Sequence, residues 1–219
     1  MSKTAQIITA LQQKGGAGKS TMISCLAAVM AEDGAKVVII DTDQQKSCVE
    51  WAEERELPNL DVVDHLNEDT LFDLVEKLEK TYDVILIDTA GYDSRMATYA
   101  IQISNLLLIP SGGSKKDIKG AARTWLHANN LTKRNKEAPE IKIVIWKVKK
   151  GTNVLAHAMS SLKDSGLPVL PTIIPSLIGF DVISWNGGLP EGSARTAING
   201  FVATLQFEGH LKYYSKGDA

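Results

Sequence analysis

A glycine-rich segment with two lysines, residues 13–21, limits the folds open to this chain more than any other part of its sequence. It reads QKGGAGKST, follows an alternating apolar segment (residues 6–11) and precedes a stretch with helical periodicity (residues 19–32). A strand, a glycine-rich turn and a helix in this order are the setting of a phosphate-binding loop. The usual loop pattern, G-x-x-x-x-G-K-[ST], has glycine where this chain has Gln13. The chain also adds a second cation, Lys14, at the mouth of the loop.

Short apolar runs alternate with helical patterns along the rest of the chain. The apolar runs, rich in β-branched residues, are residues 6–11, 36–40, 84–87, 106–109, 141–146 and 169–174. The helical patterns are residues 19–32, 48–56, 69–80, 94–103, 118–130, 153–163 and 194–205, with Gly34 as the expected C-terminal cap of the first. Such apolar runs are typical of strands buried on both faces of a parallel sheet. We therefore predict one doubly wound α/β domain over residues 1–219, a mostly parallel sheet with helices on both faces.

Composition excludes several classes of protein. Only two cysteines occur, Cys25 and Cys48, and neither lies in a C-x-x-C pattern, which disfavours a disulfide framework or a cysteine metal site. No apolar run approaches the roughly 20 residues that a membrane-spanning helix needs. We expect a cytoplasmic protein without a stable membrane anchor.

The formal net charge of −2 hides an asymmetry between the two halves of the chain. Residues 1–109 carry 9 Lys and Arg against 18 Asp and Glu, whereas residues 110–219 carry 15 against 8. A basic half can indicate a nucleic-acid surface. Alternatively, the sheet brings the two halves together and the bias averages out.

The glycine-rich segment has the residues that bind a nucleotide phosphate. Gly15, Gly16 and Gly18 let the backbone adopt positive φ angles and approach a phosphate closely. The amides of residues 15–20 would then point at the anion, aided by the helix dipole. We expect Lys19 to pair with the β- and γ-phosphates and Ser20 to offer its hydroxyl to Mg²⁺.

Acidic residues follow two of the predicted strands. Asp41 and Asp43 come after residues 36–40, and Asp88 comes after residues 84–87. Ligands of doubly wound sheets bind at the carboxyl ends of the strands, where these carboxylates lie. We expect Asp88 to hold Mg²⁺ through water and Asp43 to orient or activate the water that attacks the γ-phosphate. A single aspartate at a strand end is more often a helix cap, but three behind a phosphate loop favour a nucleotide site.

These motifs together resemble the ParA/MinD ATPases. Residues 14–21, KGGAGKST, are similar to the deviant Walker A loop of that family, and residues 88–91, DTAG, to its Walker B element. Residues 41–45, DTDQQ, resemble the D-x-D-P-Q pattern with Gln44 in place of proline. Residues 104–110, SNLLLIP, followed by Asp117 and Ile118, resemble the next strand and loop.

The resemblance implies a P-loop ATPase that forms a homodimer with ATP and Mg²⁺ between the subunits. In that family the extra lysine, here Lys14, reaches the phosphates held by the opposite subunit. The residues implied in nucleotide binding are Lys14, Gly15, Gly16, Ala17, Gly18, Lys19, Ser20 and Thr21. Lys14, Lys19 and Asp43 are the implied catalytic residues, and Ser20 and Asp88 the implied metal ligands. Hydrolysis would be weak alone and stimulated by a partner protein.

The base is expected to be adenine. Guanine-binding relatives have an [NT]-K-x-D motif after a late strand, but residues 146–149 read WKVK, without the aspartate. The near match SKKD at residues 114–117 lies one strand too early. Contacts to adenine are expected near Lys147 and Pro175.

Members of the ParA/MinD family differ in the cellular component on which the ATP-dependent dimer acts. The basic half favours a partition ATPase that binds double-stranded DNA non-specifically, associates with the nucleoid and positions a plasmid, a chromosome region or a protein cargo with a ParB-like or other adaptor. Lys147, Lys149, Lys150 and Arg195 are the candidate DNA contacts. The alternatives are a ParA-like helper of conjugative or T-DNA transfer and a MinD-type positioning ATPase that does not act on DNA. The tail, residues 210–219, has too few cations for a typical membrane-binding helix.

The scattered tryptophans and histidines show no site pattern. We interpret Trp51, Trp125, Trp146 and Trp185 as packing residues, and His65, His127, His157 and His210 as surface or core residues. The pair Gly187-Gly188 indicates a turn.

Overall fold

The computed structural model describes residues 5–54, 56–91, 94–149 and 151–211. Within these ranges a seven-stranded parallel sheet has the order β3-β2-β4-β1-β5-β6-β7. The strands are β1 (Gln6–Ala10), β2 (Val37–Asp41), β3 (Leu60–Asp64), β4 (Val84–Asp88), β5 (Leu106–Ser111), β6 (Glu140–Val148) and β7 (Val169–Pro175). The helices are α1 (Lys19–Glu32), α2 (Ser47–Glu53), α3 (Leu71–Leu78), α4 (Arg95–Ile103), α5 (Lys115–Thr132), α6 (Asn153–Asp164), α7 (Gly179–Asn186) and α8 (Gly192–Phe207), with a 3-10 turn at Glu68–Thr70.

Both faces of the sheet are covered by helices. Side chains alternate between the two faces along a strand; Val37 and Ile39 face α1 and α8, whereas Val38 and Ile40 face α3 and α4. A third cluster packs β5 and β6 against α5 and α6. Every residue of β1, β2 and β4 is buried, as expected for a parallel sheet enclosed by helices. The predicted doubly wound α/β fold is confirmed.

The register of the central strands positions the candidate site. Ala10 at the end of β1 pairs with Asp88 at the end of β4, and Asp88 pairs with Asp41 at the end of β2. Since parallel strands place their carboxyl ends on one edge, both aspartates lie beside the loop that leaves β1. The three pieces of the expected nucleotide site therefore meet at one edge.

The structure contains two elements that the sequence patterns did not predict. The edge strand β3 pairs with β2 although its sequence, LDVVD, has exposed and half-buried residues throughout. Helix α7 precedes the Gly187-Gly188 pair, where both residues have positive φ and the chain bends at Gly188. Gly34 likewise has a positive φ directly after α1, as its predicted capping role requires.

The prediction for Trp185 was wrong. Trp51 and Trp146 are buried, but the side chain of Trp185 is 80% exposed on α7. Ile178 and Val182 are exposed on the same side of the chain, three or four residues apart. This end of the molecule therefore presents an apolar surface, which in a folded protein can mark an interaction site.

Candidate functional site

The glycine-rich loop connects β1 to α1, and Gly18 is the residue at which the helix begins. Gly18 has φ +92° and Gly16 has φ +71°, both in the left-handed region, whereas Gly15 does not share this conformation. A Cβ atom placed at Gly18 would lie 2.6 Å from Cδ1 of Trp146 and still closer to Nε1. Gly18 is therefore required by its backbone conformation and by the tryptophan beside it.

Trp146 is held against the loop by two other aromatic rings. Its ring centroid lies 5.5 Å from that of Phe180 and 6.4 Å from that of Phe201. The tryptophan is 2% exposed near the end of β6. The sequence predicted Trp146 to be a packing residue but gave no indication that it supports the phosphate loop, because the two residues are 128 positions apart.

Lys19 and Lys14 occupy different environments. Lys19 opens α1 and is only 7% exposed, and the first turn of this helix has no acidic residue to weaken its positive dipole. Lys14 lies in the exposed part of the loop, and its Nζ forms an ion pair with Oδ1 of Asp117 at 2.7 Å. The two lysines of the motif therefore differ in burial, and Lys14 is the one held by a carboxylate.

Asp117 joins Lys14 to the start of α5. Its Oδ2 accepts hydrogen bonds from the backbone amide and the hydroxyl of Ser114, and the Ser114 hydroxyl accepts one from the Asp117 amide, which completes a capping box. Burial raises the pKa of Asp117, but the hydrogen bonds with Lys14 and Ser114 outweigh it, so the pKa lies below its usual value. The pattern S-x-x-D at residues 114–117 is the sequence signal of this cap.

Asp41, Cys48 and Asp88 form a buried cluster beside the loop, with ligand atoms within 4.8 Å of one another. Asp41 serves as a cap of α2, since its Oδ2 accepts hydrogen bonds from the amides of Cys48 (2.8 Å) and Val49 (3.2 Å). Asp43 lies at the mouth of the site, half-buried, and accepts a hydrogen bond from the Gln45 amide at 3.0 Å. Oδ2 of Asp41 is therefore used to cap α2, whereas Asp88 has an oxygen atom that could bind a ligand.

The oxygen atoms of this cluster fit the Mg²⁺ expected with a bound nucleotide. Among the described residues, Oδ1 of Asp88 is buried and no group lies in hydrogen-bonding geometry with it, although the Ser20 hydroxyl is nearby. Burial raises the pKa of Asp88 to about 6, while the nearby Ser20 hydroxyl and Lys19 act in the opposite direction. Burial and the two aspartates also raise the pKa of the Cys48 thiol well above its usual value, so it remains protonated and is a poor ligand for a hard cation. Ser20 and Asp88 are therefore the residues that would hold the ion.

The shifted pKa of Asp88 predicts a pH-dependent stability of the metal-free protein. The carboxyl loses its proton near pH 4 in the unfolded chain and near pH 6 in the folded one. The folded state therefore binds more protons in this window, and its stability falls as the pH rises through it. Asp88→Asn removes the charge, so we expect it to be more stable than the unmodified protein by up to about 3 kcal/mol at pH 7, with no gain near pH 4.

Urea unfolding of both proteins between pH 4 and 8, without nucleotide or metal, measures this difference. Asp73→Asn, on the exposed side of α3, is the control for removal of one carboxylate from the surface. A gain for Asp88→Asn that is the same at every pH would contradict the assignment.

The residues expected near adenine are brought together at the ends of β6 and β7. Lys147 has a positive φ of 52°, and Val148 pairs with Pro175. The Ser176 amide donates a hydrogen bond to the carbonyl of Val148 at 2.9 Å. Lys147 and Pro175 therefore lie on neighbouring strands, and Nζ of Lys147 also contacts Oδ1 of Asp181 at 3.2 Å.

The candidate DNA contacts are less available than their charge suggests. Lys147 is paired with Asp181, and the guanidinium of Arg195 forms an ion pair with Glu32. Lys149 is exposed, and Lys150 lies outside the described residues. Two of the four cations predicted to contact DNA, Lys147 and Arg195, therefore already form ion pairs with carboxylates.

A cleft opens beside the phosphate loop on the side of α7. It has a volume of about 250 Å³ and is lined by residues of α1, α2 and α7, among them Ser20, Thr21 and Ile183. Helix α7 thus reaches the loop with one side and presents Val182 and Trp185 to solvent with another.

Two features bear on membrane association. Within the described parts of the chain, none of the helices combines the length and apolar character required to cross a bilayer. Most of the C-terminal tail considered above, residues 212–219, lies outside the described residues.

Comparisons with known proteins agree on the family. The model of the VirC1 protein family matches residues 5–189. VirC1 of Rhizobium radiobacter is 28% identical over 190 residues, which cover 84% of this chain and 82% of that protein. ParA of Rhizobium radiobacter is 31% identical over 105 residues, which cover 48% of this chain and 47% of that protein.

Solved structures share the fold over nearly the whole chain. An Asp→Ala variant of Cyanothece McdA in complex with ATP has a TM-score of 0.80 at 16% identity, covering 94% of this chain and 97% of that one. MinD of Pyrococcus horikoshii in complex with Mg-ADP has a TM-score of 0.73 at 16% identity, covering 97% and 100%. The chain therefore belongs to the VirC1 protein family, within the ParA/MinD-type ATPases that its phosphate loop and acidic strand ends resemble.

Proposed function

We propose that this protein is an ATP-dependent dimerising switch that hydrolyses ATP and binds double-stranded DNA without sequence preference. The observation that carries the proposal is the position of Lys14. It precedes Lys19 by five residues, is half exposed, and is held away from the buried cluster by Asp117. A cation in this position is available to a second molecule, while Lys19 serves the phosphates of its own loop.

We assign a role to each group on the basis of this arrangement. The loop amides and Lys19 bind the phosphates of ATP, and a Mg²⁺ ion, which would neutralise phosphate charge, would be held by Ser20 and Asp88. Asp43 at the mouth of the site orients the attacking water. Lys14 of one subunit stabilises the charge on the γ-phosphate held by the other, in the ground state and during transfer. Adenine lies near Lys147 and Pro175.

The energies favour exchange of Lys14 from Asp117 to a phosphate. An exposed ion pair contributes about 0.2–1 kcal/mol, whereas a unit charge 4 Å from a phosphate contributes about 4 kcal/mol at an effective dielectric constant of 20. The larger contribution is present only when triphosphate and a second subunit are both present. ATP binding therefore shifts the population toward the dimer.

Removal of the Asp117 carboxylate should make it easier for Lys14 to bind a phosphate of the second subunit. Asp117→Asn keeps a hydrogen-bonding cap for α5 but loses the ion pair with Lys14, so we expect ATP-dependent dimerisation to become about two- to fivefold tighter. Sedimentation velocity over a concentration series with ATP and Mg²⁺ measures the constant. Asp69→Asn, which breaks an exposed contact with Arg95, is the matched control. A weaker dimer for Asp117→Asn would show that the pair supports the dimer.

The family match bears on the biological role. Membership of the VirC1 family favours the ParA-like helper of DNA transfer over plasmid or chromosome partition. The half-matching ParA relative supports the partition role more weakly. In both roles the protein acts on DNA with a partner protein that stimulates hydrolysis.

Binding to a mixed-sequence duplex in the presence of ATP and of ADP tests the proposed switch. We expect tighter binding with ATP, with an affinity that falls steeply as the salt concentration rises. Equal affinities with the two nucleotides at low salt would contradict the switch. Absence of duplex binding with either nucleotide, together with ATP-dependent dimerisation, would favour a MinD-type role without DNA.

A further inference from the structure

The solvent face of α5 is basic over the first half of the helix, and three more cations follow its C-terminal end. The exposed residues of this helix recur every three or four positions and share one face, and Asp117, its one acidic residue, is largely covered, with a side chain 15% exposed. They are Lys115, Lys116, Lys119, Arg123, Leu126 and Asn130. Lys133, Arg134 and Lys136 follow directly and are also exposed. We call the cations of α5 and these three residues the α5 basic face.

These cations differ from others in the protein because no carboxylate neutralises them. Lys46, Arg95, Lys147 and Arg195 each form an ion pair with Asp or Glu. Within the residues that the structure describes, no carboxylate oxygen lies within 4.0 Å of the charged groups of the α5 basic face. The uncompensated charge attracts a polyanion.

The N-terminal half of the face forms a groove next to the phosphate loop. The groove has a volume of about 630 Å³ and is lined by Gln12, Gln13 and Lys14 from the loop and by cations of α5. The α5 residues are Lys115, Lys116, Lys119 and Arg123, with Gly120 between them. Among the described residues that line this concave surface, five are cations and none is acidic.

We propose that the α5 basic face binds the phosphate backbone of duplex DNA. The inference rests on the proposed function and names a surface for it, distinct from the candidates Lys147 and Arg195, which Asp181 and Glu32 hold. The helix of 18 residues is about 27 Å long, which corresponds to about eight base pairs of B-form DNA. Lysine and arginine side chains along such a length contact phosphates without reading the base sequence.

The chemistry of the face fits DNA better than two other polyanionic partners. A protein interface usually has an apolar, well-packed centre, but Leu126 is the one large exposed apolar residue among the described residues of α5. A helix that binds an anionic membrane inserts an apolar face beside its cations. The apolar face of α5, which includes Ala121 and Ala128, is instead packed on the sheet.

A charge-removal variant tests the surface. In the triple variant Lys116→Ala, Lys119→Ala and Arg123→Ala, three phosphate contacts are lost. We expect the affinity for a labelled mixed-sequence duplex, with ATP and Mg²⁺, to fall on the order of 100-fold at physiological salt. The slope of log affinity against log salt concentration should become shallower by about 3. Fluorescence anisotropy measures both.

Two further variants separate charge from other effects. Lys36→Ala, Lys77→Ala and Lys163→Ala together remove the same number of exposed charges elsewhere and should leave binding unchanged. Lys116→Arg, Lys119→Arg and Arg123→Lys keep the charge of the face and should retain duplex binding. Circular dichroism and nucleotide titration establish that each variant is folded and binds ATP.

The outcomes distinguish this inference from the proposed function. If the unmodified protein binds duplex but the alanine variant binds equally tightly with the same salt slope, the α5 assignment is wrong and the function stands. If the unmodified protein does not bind duplex with ATP, the DNA part of the function itself fails. Binding of the face to phosphatidylserine vesicles without binding to duplex would also overturn the assignment.

Discussion

Lys14→Ala is expected to abolish ATP-dependent dimerisation while leaving a folded monomer that still binds ATP. The lost contact with the partner's phosphate contributes about 4 kcal/mol, so the dimer should weaken by at least about a thousandfold. The fold should persist because the ion pair with Asp117 is exposed and contributes little to stability. Light scattering with ATP and with ADP measures the association, and a fluorescent ATP analogue measures binding to the monomer.

Two controls sharpen the Lys14 experiment. Lys163→Ala removes an exposed cation from the last turn of α6 and should dimerise normally. Lys14→Arg retains the charge and should retain part of the association. Normal dimerisation of Lys14→Ala with ATP would mean that this lysine does not serve the opposite subunit.

Gly18→Ala should both destabilise the fold and eliminate nucleotide binding. An alanine in the left-handed conformation costs about 1–2 kcal/mol, and the collision of its Cβ with Trp146 adds about 1–3 kcal/mol. The aromatic cluster of Trp146, Phe180 and Phe201 leaves the indole little room to move. We expect the free energy of unfolding to fall by about 2–5 kcal/mol. Loss of nucleotide binding is expected because Gly18 lies in the phosphate loop and is the N-cap of α1.

Gly15→Ala is the matched control for the stability measurement. A Cβ at Gly15 would meet no heavy atom within 4 Å among the described residues, and the backbone there is not left-handed. Urea unfolding should therefore show little change for Gly15→Ala and a clear loss for Gly18→Ala. Equal midpoints for the two variants would contradict the role of Trp146 as a support of the loop.

The sequence predicted the parts of the fold that are set by local pattern. The apolar, β-branched runs identified six of the seven strands, and the glycine-lysine motif identified the loop between β1 and α1. Strand β3 was missed because an edge strand can remain half exposed, so LDVVD lacks a continuous apolar run. Helix α7 was missed because it has only eight residues before Gly187, which is too few to show a clear helical periodicity of apolar residues.

Contacts between distant residues could not be predicted in the same way. Lys14 and Asp117 are 103 positions apart, and their ion pair depends on β1 and β5 being neighbours in the sheet. The support of Gly18 by Trp146 depends on β6 lying two strands away from β1. Sequence position also could not show that Arg195 is paired with Glu32, whereas no carboxylate in the described parts of the chain pairs with the cations of α5. These contacts depend on the order of the strands in the sheet and on the directions of the side chains.

Mixing two complementary variants tests most directly whether Lys14 acts on the nucleotide of a second copy. Lys14→Ala holds ATP but offers no cation, whereas Lys19→Ala offers Lys14 but binds no ATP of its own. Resonance energy transfer between labelled proteins, with ATP and Mg²⁺, reports their association. We predict that the mixture associates more tightly than either variant does with itself. Self-association of Lys14→Ala as strong as its association with Lys19→Ala would contradict the trans-acting role of Lys14.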